Sequence, residues 1–122
     1  MPRHLLCLFT LLCLTLTSAC FSPSREDNRD ALAEAFCDLQ ESSECDNIGS
    51  GKDYNTYDDC IVDRTEAFND LWPSDQCNDD NMNQDKVDDC VTRIEISDTC
   101  GGGFAESFSF LDACNADKVC TE

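Results

Sequence analysis

Eleven of the 122 residues are cysteine, and their placement raises three chemistries: disulfide formation, zinc binding and covalent modification of a single thiol. Spacing disfavours zinc, because no CxxC occurs anywhere and the only histidine, His4, stands near the start of the chain. Disulfides suit such a set in an oxidising compartment and would not persist in a reducing cytosol. The compartment is therefore the first question, and the first twenty residues bear on it. Met1-Pro2-Arg3-His4 is a short basic head, residues 5–17 are an apolar run of Leu, Phe, Thr and Cys, and Thr17-Ser18-Ala19-Cys20 closes it with small side chains. That order is the order of an export signal, and the run is too short to span a bilayer comfortably. Residues 1–19 are accordingly expected as a cleaved signal peptide, outside the fold.

The end of this signal resembles the lipobox of bacterial lipoproteins, in which a small pair precedes a cysteine that receives the lipid and becomes the mature N-terminus. Ser18, Ala19 and Cys20 match the pattern, while Thr17 stands where that family most often has Leu. Thr17 and Ala19 also satisfy the rule for ordinary signal cleavage, so a plain secreted protein is the alternative. Cysteine parity favours the lipid. Cys7 and Cys13 leave with the signal, and the odd number that remains is awkward for an exported domain. A thioether-linked lipid on Cys20 leaves Cys37, Cys45, Cys60, Cys77, Cys90, Cys100, Cys114 and Cys120, an even set expected as four disulfides. Phe21, rather than Asp, follows Cys20, which leans toward the outer membrane. The expected location is the bacterial cell envelope, with the membrane engaged through the N-terminal lipid.

All 26 acidic residues lie beyond Cys20 and only seven of the eight basic ones do, so the mature chain carries a formal charge of −19. Such a surface repels nucleic-acid phosphate, and no nucleic-acid partner is expected. It would attract cationic partners or divalent ions, and it keeps a small exported domain soluble. About a hundred mature residues make one domain with few large apolar side chains to fill a core. Four disulfides, at about 2 to 4 kcal/mol each, would then supply most of its net stability.

Catalytic chemistry finds little foothold. Without a histidine in the mature chain there is no Ser-His or Cys-His nucleophile system, and neither GxSxG nor a Gly-rich phosphate loop is present. The Gly101-Gly102-Gly103 run reads as a turn between helices. Carboxylate pairs carry no signal where acids are so abundant, and the chain is expected not to be an enzyme. Calcium is the sharper alternative. Asp79, Asn81, Asn83 and Asp85 offer oxygens at alternate positions, as an EF-hand-type loop begins. Gln84 then stands where that loop needs Gly, and Cys90 where it needs a bidentate Glu. No cofactor is expected beyond this weak candidate for calcium.

Helices must position these groups. Residues 20–28, with Ser22-Pro23-Ser24, read as a short tether between anchor and body, and residues 29–122 as an acidic, cysteine-rich helical domain. From about Asp27 to Gln40, Ala31, Leu32, Ala35, Phe36 and Leu39 recur at helical spacing with Asp30 and Glu34 outward. A polar loop pinned by Cys45 follows. A second helix, capped by Asn55 or Thr56, runs to Leu71 with a stripe of Tyr57, Cys60, Ile61, Arg64, Phe68 and Leu71, and Trp72-Pro73 stops it. A third runs from about Asp85 to Ile96 over Val87, Cys90, Val91 and Ile94, and a last one over residues 104–113 carries Phe104, Phe108, Phe110 and Leu111. The expected fold is all-α, a small disulfide-stapled bundle of about four short helices.

Two stretches look like a repeat, since Cys45-Asp46 leads through a loop to Asp58-Asp59-Cys60, and Cys77-Asn78 leads through another to Asp88-Asp89-Cys90. Each acidic pair would then sit in the first turn of its helix, where the helix dipole favours it. Pairing Cys45 with Cys60 and Cys77 with Cys90 would close each loop on itself, but eight cysteines allow about a hundred connectivities. These helix starts, the lipobox-like segment, the Cys90 to Cys100 interval and the closing Cys114-Asn115-Ala116-Asp117-Lys118-Val119-Cys120 resemble small cysteine-rich lipoproteins common in myxobacteria and related bacteria. That resemblance implies localisation and fold class and adds no site residues. The expected role is an interaction or structural module with a protein partner, which calls for an exposed aromatic patch from Trp72 or residues 104–110.

Overall fold

The computed structural model describes residues 22–97, Cys100 and residues 112–121. Within them the chain forms helix α1 (Arg25–Glu41), helix α2 (Tyr57–Leu71), helix α3 (Gln84–Glu95), a single 3-10 turn (Asp112–Cys114) and the four-residue helix α4 (Ala116–Val119). No strand occurs among the described residues, only two isolated bridges, Ile48 with Tyr54 and Met82 with Cys120. The protein is mostly helical, as the spacing of its apolar residues predicts. The last helix expected, residues 104–113, lies outside the described residues except for Asp112 and Ala113, which belong to the 3-10 turn.

Each of the three long helices begins where a side chain can replace a missing backbone partner. Ser24 caps α1: its Oγ accepts from the Asp27 amide at 3.1 Å while Asp27 Oδ2 accepts from the Ser24 amide at 2.9 Å, a reciprocal capping box. Thr56 and Asp59 repeat the arrangement at α2, both at 3.1 Å, and Asn83 caps α3 through the Lys86 amide. The cap at Ser24 starts α1 two residues before the expected Asp27, so its first turn occupies the end of the stretch expected as a tether.

Side-chain contacts fix the directions of the helices. Tyr57 at the start of α2 reaches Asp38 near the end of α1, and Arg25 at the start of α1 reaches Trp72 just past the end of α2, so α1 and α2 run antiparallel. Asn28 touches Met82 just before α3, placing the start of α3 beside the start of α1. The bundle is thus up, down, up, with two poles. One holds the start of α1, the loop after Trp72 and Thr121, whose amide donates to Asn81 O at 3.0 Å. The other holds residues 42–56 and the end of α3.

The core lies between α1 and its two neighbours. Leu32, Ala33, Ala35, Phe36, Cys37 and Leu39 of α1 are buried, with Cys60 and Phe68 of α2, Val87, Cys90 and Ile94 of α3, and Trp72, Cys114 and Val119. With the buried Arg64 between Cys60 and Phe68, the α2 and α3 positions recur at three- and four-residue intervals, the inner face of a helix. Ala31, expected inside, is exposed and Ala33 is buried instead. Trp72, expected as a possible surface anchor for a partner, is fully buried, and its indole Nε1 donates to Cys114 O at 2.7 Å. An indole buried on all sides needs such an acceptor, and Cys114 supplies it where the chain returns to the core.

Candidate functional site

The thiols make the clearest chemical feature. Four disulfides join Cys37 to Cys60, Cys45 to Cys100, Cys77 to Cys120 and Cys90 to Cys114. The loop-closing pairs Cys45 with Cys60 and Cys77 with Cys90 do not form. Cys60 is on the second turn of α2 facing α1, where antiparallel packing sets it against Cys37 with the Cα atoms 5.9 Å apart. Cys45 stays in the loop at the far pole and meets Cys100 beyond the end of α3. The apparent repeat breaks for a related reason. Asp58 and Asp59 do occupy the first turn of α2, but α3 starts at Gln84, which pushes Asp88 and Asp89 to its middle. There they form i,i+4 pairs, Asp88 with Gln84 at 2.8 Å and Asp89 with Arg93 at 3.0 Å.

The oxygens considered for calcium serve the fold. Asp79 Oδ1 accepts from the Arg25 amide at 2.7 Å, and Asn81 Oδ1 accepts from the Asn78 amide at 2.9 Å while its Nδ2 donates to Gln76 O. Asn83 Oδ1 caps α3, and Asp85 stands one residue inside that helix. Among the described residues no group of three or more His, Cys, Asp or Glu side chains is placed to hold a metal ion. Cys20 lies outside the described residues.

Two arginines organise the polar interior. Arg25 clasps the near pole: its Nε donates to Trp72 O at 2.7 Å, and one terminal nitrogen donates to the same carbonyl and to Asn69 Oδ1 at 2.8 Å. A cation thereby meets the negative end of α2, which has no basic residue in its own last turn. Arg64 is buried between the rings of Phe36 and Tyr54, its guanidinium carbon 4.8 and 5.7 Å from their centroids, and donates to Asp63 Oδ2 at 3.0 and 2.6 Å. The acidic partner and the aromatic faces offset the desolvation of the buried charge. Arg64 was visible on the helical stripe. Arg25 was missed, although Ser24-x-x-Asp27 is the pattern that marks a helix start.

Tyr57 gives this arrangement a pH signature. Burial, the hydrogen bond it donates to Asp38 at 2.7 Å and the negative charges of Asp38, Glu34 and Glu41 push its phenol up to about 12 from 10.0. Burial, as the leading cause, also raises Tyr54. A phenol held protonated above its unfolded value contributes stability that is complete below pH 10 and is lost as pH rises through about 12. Phenolate absorbance of the native protein should therefore rise well above the pH at which the reduced, denatured chain titrates, and Tyr57→Phe should remove the step near 12. Coincident native and denatured curves would contradict the Tyr57 to Asp38 bond.

Comparison with known proteins adds a family. No curated protein and no solved structure matches the chain. A family of unknown function, DUF6184, matches residues 37–122, a span that begins at Cys37 and takes in all four disulfides. Since that span is well over half of the chain, the protein belongs to the DUF6184 family of unknown function.

Proposed function

We propose that this protein is a lipid-anchored module of the bacterial cell envelope, held to the membrane through Cys20 and acting by interaction or as a structural element rather than as a catalyst. The observation that supports this most is the disulfide pairing. Every cysteine after Cys20 has a partner within the domain, so Cys20 is left over once Cys7 and Cys13 leave with the signal. An odd thiol at the end of a signal, behind Ser18 and Ala19, is the thiol that lipid attachment would consume. The resemblance to small cysteine-rich lipoproteins of myxobacteria agrees with this, and Phe21 favours the outer membrane. No described helix is long and apolar enough to cross a membrane. The buried polar side chains support a structural part: Gln40 accepts from Asn47 at 2.8 Å to fix the loop after α1, and Arg64 is enclosed by its ring partners.

The test is the intact mass of the protein purified from its host membrane, with and without reduction and alkylation. The expected result is a chain beginning at Cys20 that carries diacylglycerol and acyl mass, with eight thiols appearing only on reduction. An unmodified chain with a free or intermolecularly paired Cys20 would overturn the anchor and favour a secreted protein.

A further inference from the structure

We propose that the pole formed by the start of α1 and residues 73–81 faces the phospholipid headgroups, with the loop of residues 42–56 and the Cys45–Cys100 disulfide directed away from the membrane. This orientation rests on the anchoring of Cys20 proposed above. Only two peptide units separate Cys20 from Ser22, an exposed residue of the described body, so the two Cα atoms lie within about 7 Å whatever path the chain takes. Beyond Ser22 there is little slack. Ser24 is locked in the α1 capping box, and Arg25 fixes the first turn of α1 to Trp72, Asn69 and Asp79.

The opposite pole is out of reach. Helix α1 has 17 residues, so its far end stands about 25 Å from Arg25 at the rise of an α-helix. The near pole also has the right character for contact with headgroups rather than insertion among acyl chains. Glu26, Asp27, Ser74, Asp75, Asp79 and Asp80 are exposed there, and none is apolar. These carboxylates suit a zwitterionic surface bearing ammonium groups and disfavour an anionic one. The tether, rather than intrinsic affinity of this face for lipid, therefore imposes the orientation.

The experiment places the host-purified protein in phosphatidylethanolamine and phosphatidylcholine vesicles doped with a gadolinium-chelate lipid, and reads paramagnetic broadening of backbone amides. Residues 24–28 and 73–81 should broaden several-fold more than residues 45–56 and 95–97. Equal broadening at the two poles, or stronger broadening at residues 45–56, would overturn the orientation. In a second arm the oxidised chain beginning at Cys20 is coupled through that thiol to a maleimide lipid. This arm reads the geometry even if the host attaches no lipid, so failure of the anchor and failure of the orientation are told apart. In a third, about 20 Gly and Ser residues inserted between Cys20 and Ser22 give a mean span of about 25 Å and should erase the contrast. A contrast that survives the insertion would overturn the tether as its cause.

Discussion

Replacing Cys37 and Cys60 together by alanine should lower the free energy of unfolding by about 3 to 5 kcal/mol, against roughly 5 to 15 for a domain of this size. The bond links residues 23 apart, so its loss restores much of the freedom of the unfolded chain. Both sulfurs have zero exposure, so the native state also loses packing between α1 and α2. Urea denaturation of the double variant with the other six cysteines oxidised measures the loss. A drop below about 1 kcal/mol would mean that helix packing alone holds α1 to α2. The same burial sets an order of reduction. Cys37, Cys60, Cys77, Cys90 and Cys114 are sealed at zero exposure, whereas Cys100 is exposed and Cys45 half-buried. A thiol reductant must reach sulfur to react, so the first two thiols released from the folded protein should be Cys45 and Cys100.

Trp72→Ala is expected to cost a further about 3 to 5 kcal/mol, the range for emptying a fully buried large aromatic site. Trp72 ends α2, fills the core, donates its indole proton to Cys114 O and offers its own carbonyl to Arg25. Truncation leaves a cavity and strips Cys114 O of its donor, while the Arg25 clasp, made to the backbone, survives. Trp72→Phe separates the two effects: it keeps much of the volume and loses the hydrogen bond, so it should fall well short of the alanine variant. Denaturation midpoints with unchanged slopes would assign both losses to the folded state. Near-wild-type stability for Trp72→Ala would be incompatible with Trp72 at the centre of the core.

What the sequence disclosed follows the range of the forces involved. The second helix was legible because Thr56, the buried stripe of Cys60, Arg64 and Phe68, and Trp72-Pro73 all act within a few residues of one another. The third was legible for the same reason, except that its cap at Asn83 placed Asp88 and Asp89 deeper than the Asp-Asp-Cys likeness suggested. Helix α4 escaped because four residues carry no periodicity. The disulfide partners could not be read at all: Cys37 meets Cys60 through the antiparallel crossing of α1 and α2, and Cys77 meets Cys120 because the end of the chain returns to the pole where it began. Pairings set by tertiary direction leave no trace in local spacing. The same holds for Asp79, Asn81 and Asn83, whose alternation looked like ligand spacing and turned out to join the loop to Arg25, to Asn78 and to the start of α3.

The disulfides also overlap along the chain. Cys37–Cys60 crosses Cys45–Cys100, which in turn crosses both Cys77–Cys120 and Cys90–Cys114. Every peptide bond from Cys37 to Cys120 is therefore bridged by at least one S–S link. A protease that cuts the backbone once anywhere in that span adds a water and frees no fragment. A nicked copy would keep all its parts until its cystines were reduced.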